Sequence, residues 1–314
     1  GGVPGDVRAD SIAYKRAMIS KLFRTRTKIR TSTAPAVPPG TVVWSVGDVH
    51  GRLDLLSPLV EAIRADLCGS GAERKVVVFL GDYIDRGPDS RGVLSLLAGL
   101  SASEGIEWRF LKGNHEQAML DFLDRPSAGP RWCEYGGDRA LRSWGLRVPE
   151  LAHRTEAWER VAADLRHKLT KSEMAFLDSL ELSVTVGDYF FSHAGARPGL
   201  ALDRQSAEDL MWIRQTFLDS PAAFERVVVH GHTPTSSVYS DHRRIGVDTK
   251  AYDSGVLTAL RLEGRERSLL TSIGPRRGSQ ARTGSEEYRV EDGSSVVIHT
   301  ARLEPDQALA DAVG

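Results

Sequence analysis

The chain has 314 residues, enough for one large domain or two small ones, and 41% of them are hydrophobic, as in a globular fold. A formal net charge of -1 gives no electrostatic case for a nucleic acid or an acidic surface as partner, so we expect no stable nucleic-acid binding. Two cysteines, Cys68 and Cys133, are too few for a disulfide framework, and no apolar run is long enough for a transmembrane segment or a signal peptide, so we predict a cytoplasmic protein.

Residues 1–40 are predicted to form a basic extension and a linker. Asp10–Phe23 has helical potential and carries several basic side chains, and Thr31–Gly40 is rich in Thr, Ala and Pro. A basic amphipathic segment can contact a membrane or a nucleic acid. Because the segment offers only one short helix and no interleaved aromatic residues, we favour a tail that makes no such peripheral contact.

Strand and helix patterns alternate between residues 41 and 264, the predicted core domain. Helical spacing of apolar residues predicts helices over Leu53–Leu67, over Arg91–Leu100 after the capping residues Asp89 and Ser90, and over Glu116–Leu123. The strand–helix repeat is typical of a largely parallel sheet. The later strands have shorter connections, including a hairpin at Gly187-Asp188. An α/β fold with a mixed sheet, or with two packed sheets that share the edge carrying the site, fits better than one doubly wound sheet.

Two further segments flank or interrupt this core. Residues 125–171 form a polar, Trp-bearing insertion with helical stretches, and we predict a cap over the cleft. Residues 265–314 are predicted to be a C-terminal extension with a strand-like stretch at Ser294–Leu303.

Five apolar runs of β type end abruptly in short polar motifs. The motifs are Gly47-Asp48-Val49-His50-Gly51, Gly81-Asp82-Tyr83-Ile84-Asp85-Arg86-Gly87, Gly113-Asn114-His115-Glu116, His193-Ala194-Gly195 and His230-Gly231-His232-Thr233. Each motif alone is more typical of a turn or a helix cap than of a catalytic site. Because α/β proteins place their chemistry where strand ends meet, all five together predict a shared site. Their oxygen and imidazole groups are ligands that divalent metals take.

The motifs suit the hydrolysis of a phosphate ester by two metals. Such a pair lowers the pKa of a shared water, so that a bridging hydroxide attacks phosphorus in line, and it neutralises the phosphoryl charge. Asp82 follows the most apolar strand and is the best candidate for the bridging ligand. Asp48 and His50 would bind one metal, and the remaining ligands of the other would be Asn114, His193 and His232.

A second group of residues would handle the leaving oxygen and the phosphate. His115 directly follows a predicted ligand, and with Asp85 it forms a pair suited to protonating the leaving oxygen. Arg86 has the planar guanidinium that matches a phosphoryl group. His230 either points to the opposite face of its strand or lies behind the ligands, and we favour the second position.

The motifs resemble those of the calcineurin-like metallophosphoesterases, and the forms GDxxDRG and GNHE are similar to the phosphoprotein phosphatase branch, with small bacterial and phage-type serine/threonine phosphatases as the nearest pattern. The resemblance covers about Thr41–Leu262 and implies a β-sandwich of two mixed sheets flanked by helices. It implies Asp48, His50 and Asp82 at one metal, and Asp82, Asn114, His193 and His232 at the other. It also implies His115 with Asp85 as general acid pair.

The resemblance adds one residue and shows one departure. Met211-Trp212-Ile213-Arg214 is similar to the segment that supplies a second arginine, so Arg214 joins Arg86 and Asn114 as a phosphate-binding residue. Trp132 with Gly136-Gly137 also resembles a segment of the phage-type enzymes, with no role that the sequence explains. Lys250 stands where the family often has glycine, in Asp248-Thr249-Lys250.

The expected function is hydrolysis of phosphoserine and phosphothreonine in proteins, with phosphotyrosine as a further target. Manganese is the expected metal, with Fe, Zn, Ni or Co as alternatives. The rivals are a symmetrical diadenosine tetraphosphate hydrolase, a general small-molecule phosphatase and a phospho-binding module without turnover. The 39 positions from His193 to His232 resemble the spacing of the protein phosphatases, since the tetraphosphate hydrolases typically have a long insertion there.

Overall fold

Two mixed β-sheets pack face to face in the computed structural model, which describes residues 34–100, 105–276, 287–289 and 295–303. The strands are β1 (Thr41–Val46), β2 (Arg74–Phe79), β3 (Ile106–Phe110), β4 (Ser183–Val186), β5 (Tyr189–Ser192), β6 (Val227–His230), β7 (Tyr239–Ser240), β8 (Arg244–Gly246), β9 (Val256–Glu263), β10 (Glu266–Ile273), β11 (Glu287–Arg289) and β12 (Ser295–Arg302). Within these residues the larger sheet has the order β11-β12-β10-β9-β1-β2-β3, and the smaller has β4-β5-β6-β8-β7. Strands β1 to β3 run parallel, as do β5, β6 and β8, and antiparallel strands complete both sheets.

Helices cover the outer faces of both sheets. They are α1 (Leu53–Gly69), α2 (Ser90–Ala98), α3 (Asn114–Asp124), α4 (Gly129–Trp132), α5 (Asp138–Ser143), α6 (Thr155–Lys168), α7 (Lys171–Asp178), α8 (Ala207–Trp212), α9 (Gln215–Leu218) and α10 (Ala251–Ser254). A kinked segment, Cys133–Gly137, joins α4 to α5, and Gly136 within it is not helical. Within the described part of the chain, no helix has both the length and the apolar character needed to span a bilayer.

The side chains of a single apolar strand contribute to two hydrophobic cores, one between the sheets and one between a sheet and the helices. In β2 and the residue after it, Val76, Val78 and Leu80 pack between the sheets, whereas Val77 and Phe79 pack against the helices. Successive side chains of a strand point to opposite faces, so a strand that is apolar throughout is buried on both sides. The sequence-based prediction of a sandwich of two mixed sheets flanked by helices is therefore confirmed.

The predicted elements lie within a few residues of the observed ones. The second helix begins at Ser90, and the carboxylate of its N-cap residue Asp89 accepts a hydrogen bond from the Gly92 N–H at 2.7 Å. Gly187-Asp188 connects the antiparallel strands β4 and β5 as predicted. The first and third helices begin at or near their motifs, at Leu53 and Asn114.

The residues flanking the predicted core domain join the same sheets and cores. Val37 is buried between the sheets, and β10 and β12 extend the larger sheet beyond residue 264. The insertion at 125–171 packs Trp132, Trp144 and Trp158 into the core under the helices. The domain boundaries and the role of the insertion as a cap stay predictions. The helix predicted over Asp10–Phe23 lies outside the described residues.

Candidate metal centre

The five motifs follow the carboxyl ends of five parallel strands, β1, β2, β3, β5 and β6. The two sheets meet along this edge, where their loops bring the predicted ligands into contact. The backbone there is unusual, because a positive φ is uncommon for residues other than glycine. Of the six described non-glycine residues with a positive φ, five are in the motifs, namely His50, Asp82, Asp85, Arg86 and His232. The sixth is Lys250.

Asp82 lies at the centre of the site with its two oxygens turned to different partners. Its Oδ2 lies 3.6 Å from His50 Nε2 and 3.8 Å from His115 Nε2. Its Oδ1 lies 3.4 Å from His193 Nε2. Asp82, His193 and His232 form one group whose potential ligand atoms all lie within 4.8 Å of one another, and Asp82, His50 and His115 form another. A carboxylate placed in this way can bridge two cations.

The imidazoles present lone pairs to this centre because their other nitrogens are engaged. His50 Nδ1 donates to the Ile84 carbonyl at 2.8 Å, and His193 Nδ1 donates to the Leu80 carbonyl at 2.9 Å. Such a bond to a carbonyl fixes the tautomer of a metal-ligating histidine. His193 Nε2 then faces Asn114 Oδ1 at 3.0 Å and His232 Nδ1 at 3.2 Å. His193 Nε2, Asn114 Oδ1 and His232 Nδ1, which are all possible metal ligands, therefore lie close together.

Asp48 joins the site through the loop that carries His232. Its Oδ2 accepts a hydrogen bond from the His232 backbone N–H at 2.9 Å. A Cβ on Gly231 would lie 2.0 Å from Asp48 Oδ1, so glycine is required for this approach. Asp48 is absent from both three-residue groups, although sequence reasoning assigned it to the first metal and the structure instead groups His115 with His50 and Asp82.

Burial and mutual repulsion shape the charges of the site. Burial, together with Asp248 and Asp82, raises the pKa of Asp48 well above its usual value. Burial also opposes ionisation of Asp82, yet the nearby His193 and His115 hold its pKa well below the usual value. Burial and the neighbouring His193 lower the pKa of His232 to about 2, so this imidazole is neutral. Close carboxylates and neutral imidazoles are stabilised by a cation.

The residues present fit divalent metals. Among the described residues, Asp48 Oδ1 and His232 Nε2 are buried polar atoms without a hydrogen-bond partner. Buried polar atoms are nearly always paired, so these two require an explanation such as a bound ion. Oxygen and imidazole donors are the ligands that Mn, Fe, Zn and related metals take.

The predicted acid pair lies beside this centre. His115 Nδ1 lies 2.6 Å from Asp85 Oδ2, and His115 Nε2 lies 3.2 Å from Arg86 Nη2. Burial would lower the pKa of His115, but Asp82 and then Asp85 raise it above the usual value. The geometry therefore places the His115 imidazole between the Asp85 carboxylate and the Arg86 guanidinium.

Arg214 lies on the other side of the site, close to His232. Its Nη1 donates to the His232 carbonyl at 3.3 Å and to the Thr233 hydroxyl at 3.4 Å. The side chain of Arg214 is exposed, so it is open to a ligand. With it, the structure brings together every site residue that the sequence singled out.

The structure adds Glu116, whose role sequence reasoning limited to a helix cap. Its Oε2 accepts hydrogen bonds from the N–H groups of Gly113 and Asp82, at 3.0 and 2.9 Å, and its Oε1 accepts those of Tyr83 and Ile84, at 2.8 and 3.3 Å. Glu116 therefore ties the loop of Asp82 to the start of α3. Burial raises its pKa to about 7. The signal was the GNHE motif itself, but nothing local indicated a partner 34 residues away.

Two further residues near the site follow β8. Asp248 is buried and has its pKa raised to about 6 by that burial. The hydroxyl of Tyr252 accepts a hydrogen bond from Arg86 Nη1 at 2.9 Å. Lys250 follows β8 as well and adopts a left-handed conformation with φ of 60°, and its Nζ lies 2.9 Å from Asp253 Oδ2.

His230 packs against Arg244 and Phe217, and its position behind the ligands stays a prediction. Its Nε2 accepts a hydrogen bond from Arg244 Nη1 at 3.1 Å, and its ring lies edge-on to Phe217. Burial and the Arg244 charge lower its pKa to about 3, so it is a neutral core histidine.

The family described as "Calcineurin-like phosphoesterase" matches residues 41–257 of the chain. The chain is similar to "Serine/threonine-protein phosphatase 1" of Salmonella typhimurium, with 38% identity over 97 residues, 31% of this chain and 39% of that protein. It is also similar to "Serine/threonine-protein phosphatase 2" of Escherichia coli, with 34% identity over 101 residues, 31% of this chain and 38% of that protein. A longer match, 27% identical over 271 residues, covers 71% of this chain and 82% of "Bis(5'-nucleosyl)-tetraphosphatase, symmetrical" of Xanthomonas euvesicatoria. The first two matches thus span less than half of each relative.

Proposed function

We propose, from the premise that this chain belongs to the calcineurin-like phosphoesterase family, that it is a metal-dependent protein phosphatase acting on phosphoserine and phosphothreonine, and also on phosphotyrosine. The observation that carries the proposal is the position of Asp82 between two groups of potential ligands, with the His115–Asp85 pair beside them. A hydrolase that cleaves phosphate esters with two metals and a general acid uses these parts together in one place.

Two divalent ions, with manganese expected, would be held around Asp82. Asp48, His50 and Asp82 would bind one ion, and Asp82, Asn114, His193 and His232 would bind the other. The unpartnered atoms Asp48 Oδ1 and His232 Nε2 support their assignment as ligands. When bound, the ions would activate a water molecule as the nucleophile and neutralise the phosphoryl oxygens.

The chain's own residues would orient the ester and protonate the leaving group. The guanidinium groups of Arg86, beside His115, and of Arg214, beside His232, would bind phosphoryl oxygens. His115, held by Asp85 at 2.6 Å, would donate its Nε2 proton to the leaving oxygen. Burial lowers the pKa of His115, but Asp82 and Asp85 raise it above the usual value, which favours the protonated form that this role needs.

The protein substrate rests on the two bacterial relatives and on loop length. Both relatives named as serine/threonine phosphatases match this chain with over 30% identity, although over short stretches. Only 39 positions separate His193 from His232, which leaves the site without a long insertion at this point.

A symmetrical dinucleoside tetraphosphate hydrolase is the second candidate. The observation that favours it is the Xanthomonas relative of that name, which matches 71% of this chain. The same metal ligands would serve, since both reactions displace an oxygen from phosphorus. The two candidates therefore differ in the substrate that fits beside the metals.

A substrate panel on the metal-depleted protein separates the candidates. Mn, Fe, Zn, Ni or Co is restored singly, with p-nitrophenyl phosphate, phosphoserine, phosphothreonine and phosphotyrosine peptides, and diadenosine tetraphosphate as substrates. We expect metal-dependent turnover of the phosphopeptides at a higher kcat/KM than of the tetraphosphate. The reverse order would favour the second candidate, and turnover of p-nitrophenyl phosphate alone would indicate a small-molecule phosphatase.

Metal content tests the bridging role of Asp82 independently of turnover. The unmodified protein should bind two ions per chain, whereas Asp82→Asn should bind fewer because it loses the negative charge between the groups. Asp241→Asn, a change at a buried carboxylate outside the site, serves as the control and should keep both ions. Two ions retained by Asp82→Asn would contradict the bridging role.

A further inference from the structure

Trp132 forms a hydrogen bond with Asp85, the carboxylate of the predicted acid pair. Its indole Nε1 donates to Asp85 Oδ2 at 2.9 Å, the same oxygen that lies 2.6 Å from His115 Nδ1. Both Trp132 and Asp85 are buried. Asp85 Oδ1 has no partner among the described residues, so the two donors on Oδ2 set the rotation of the carboxylate.

The indole ring of Trp132 is held in place by close packing. One face stacks on Phe122 of α3, with 5.1 Å between ring centroids and 29° between planes. A Cβ on Gly137 would lie 2.5 Å from the indole, so this glycine lets the ring approach the backbone. Helix α3 begins with Asn114 and His115, and Trp132 therefore ties the acid pair to the helix that carries its histidine.

Gly136 holds the residue next to Asp85. Its carbonyl accepts a hydrogen bond from the Arg86 backbone N–H at 3.2 Å. Its φ is 108°, and an added Cβ would lie 2.8 Å from both Cγ and the backbone N of Arg86. An L side chain is therefore excluded for two reasons, conformation and space.

Asp85 and Arg86 need such support because both are strained. Their φ values are 71° and 63°, and a left-handed conformation at a residue other than glycine costs roughly 1–3 kcal/mol and persists only where the surroundings fix it. The segment Trp132–Gly137 is kinked, because Gly136 departs from helical geometry between α4 and α5.

We propose that the segment Trp132–Gly137 is a clamp for the active site, in which Trp132 positions Asp85 and through it His115, while Gly136 positions Arg86. Trp132 is a positioning residue, since it touches the acid pair and not the substrate. The proposal rests on the proposed function. It predicts that a substitution that removes the Trp132 N–H slows protonation of the leaving group, whereas a substitution of Gly136 weakens phosphate binding.

Trp132→Phe tests the first half, in full-length protein loaded with manganese. The change keeps an aromatic ring in the core and removes the N–H donor. We expect kcat to fall by about 10–100-fold on a phosphoserine peptide, whose leaving group needs a proton, with a clearly smaller loss on p-nitrophenyl phosphate and little change in KM.

Two control variants also replace a buried indole and should lose a similar amount of folding stability. Trp144→Phe deletes an N–H that has no partner among the described residues, and Trp158→Phe deletes one that donates to the Ala152 carbonyl. Both should lose stability without any dependence on the leaving group. Equal losses of Trp132→Phe on both substrates, or a profile like that of the controls, would overturn the role of Trp132. If Trp132→Phe does not fold, a benzothiophene ring in place of the indole keeps the shape without the donor and should give the same split.

Gly136→Ala tests the second half, with Gly145→Ala as its control. Gly145 has a φ of 70° but no atom within 4 Å of an added Cβ, so it carries the conformational cost without the collision. Inorganic phosphate should inhibit Gly136→Ala about tenfold more weakly than the unmodified protein, as expected when a strong charge-assisted bond is disturbed. Unchanged inhibition of folded Gly136→Ala would refute this half.

A spectroscopic readout separates failure of the clamp from failure of the proposed function. The indole N–H signal of Trp132, assigned by its loss in Trp132→Phe, should shift in Asp85→Asn, while that of Trp158 stays in place. If the unmodified protein turns over neither ester, the proposed function is contradicted. The shift of the Trp132 signal in Asp85→Asn then still tests whether Trp132 contacts Asp85. A Trp132 signal unmoved by Asp85→Asn would exclude the contact.

Discussion

Single residues at the site hold backbone conformations that are uncommon for residues other than glycine. His50, Asp82, Asp85, Arg86 and His232 all have a positive φ between 46° and 71°. At roughly 1–3 kcal/mol each, this strain is comparable to much of the net stability of a domain, so neighbouring groups must fix it. For Asp82 the fixing group is Glu116, whose carboxylate binds the N–H groups of Asp82 and of the two residues after it.

Glu116→Gln should therefore loosen the Asp82 loop. An amide has one acceptor oxygen, so one pair of buried N–H groups would lose its acceptor, at a cost of about 1–3 kcal/mol. We expect both a lower free energy of unfolding in urea and weaker manganese binding.

Glu173→Gln is the matched control for that experiment. Glu173 is also buried, and it accepts a hydrogen bond from the Thr170 N–H at 2.8 Å in a capping box at the start of α7. Its loss should lower stability and leave manganese affinity unchanged. Equal metal affinity in the two variants would show that Glu116 is only a helix cap.

The acid role of His115 is a second prediction at the residue scale. His115→Asn should reduce kcat on a phosphoserine peptide by roughly 10²–10⁴ if the imidazole protonates the leaving oxygen. The loss should be smaller for p-nitrophenyl phosphate, because its leaving group departs without a proton. A uniform loss for both substrates would argue that His115 acts instead as a metal ligand, as its grouping with His50 and Asp82 allows.

At the scale of elements, local pattern carried most of the fold. Continuous apolar runs indicated β1, β2, β3, β5 and β6, helical spacing indicated α1, α2 and α3, and the motifs at the five strand ends indicated the site. Contacts between distant loops left no local pattern. Trp132 reaches Asp85 across 47 positions, and Glu116 reaches Asp82 across 34. For that reason the sequence marked these residues without explaining them.

The β7–β8 hairpin offers a prediction about an element away from the site. Asp241 accepts hydrogen bonds from the backbone N–H groups of Arg243 and Arg244, at 2.7 and 2.8 Å, and from the Tyr239 hydroxyl at 3.0 Å. Burial would raise the pKa of Asp241, but these bonds and the Arg243 charge lower it below the usual value. The carboxylate therefore stabilises the folded state above the unfolded pKa, near 3.9, and this contribution is lost as the pH falls through the folded pKa.

Asp241→Asn should destabilise the protein by about 1–3 kcal/mol at pH 7. The difference in unfolding free energy from the unmodified protein should shrink below about pH 4. Urea unfolding across this pH range measures it. A difference that does not change with pH would mean that the amide loses packing or geometry and not charge.

At the scale of the whole molecule, the segment before β1 joins the two sheets. The Val37 N–H donates to the Gly264 carbonyl at 2.9 Å, at the turn between β9 and β10 of the larger sheet. The Asp188 N–H donates to the Ala36 carbonyl at 3.0 Å, at the turn between β4 and β5 of the smaller sheet. Val37 itself is buried between the sheets. The segment lies at the start of β1, whereas the candidate site lies at its end.

Removing residues 1–33 should leave both stability and turnover of p-nitrophenyl phosphate unchanged, because the joining segment remains. Removing residues 1–40 should lower the unfolding free energy, since burial of Val37 alone is worth about 1.5–3 kcal/mol. Turnover per folded molecule should persist, because the ligands follow the opposite end of the strand. Val37→Ala in the full chain isolates the packing term from the lost hydrogen bonds. Loss of turnover on deleting residues 1–33, with the fold intact, would instead make the basic extension part of the active site.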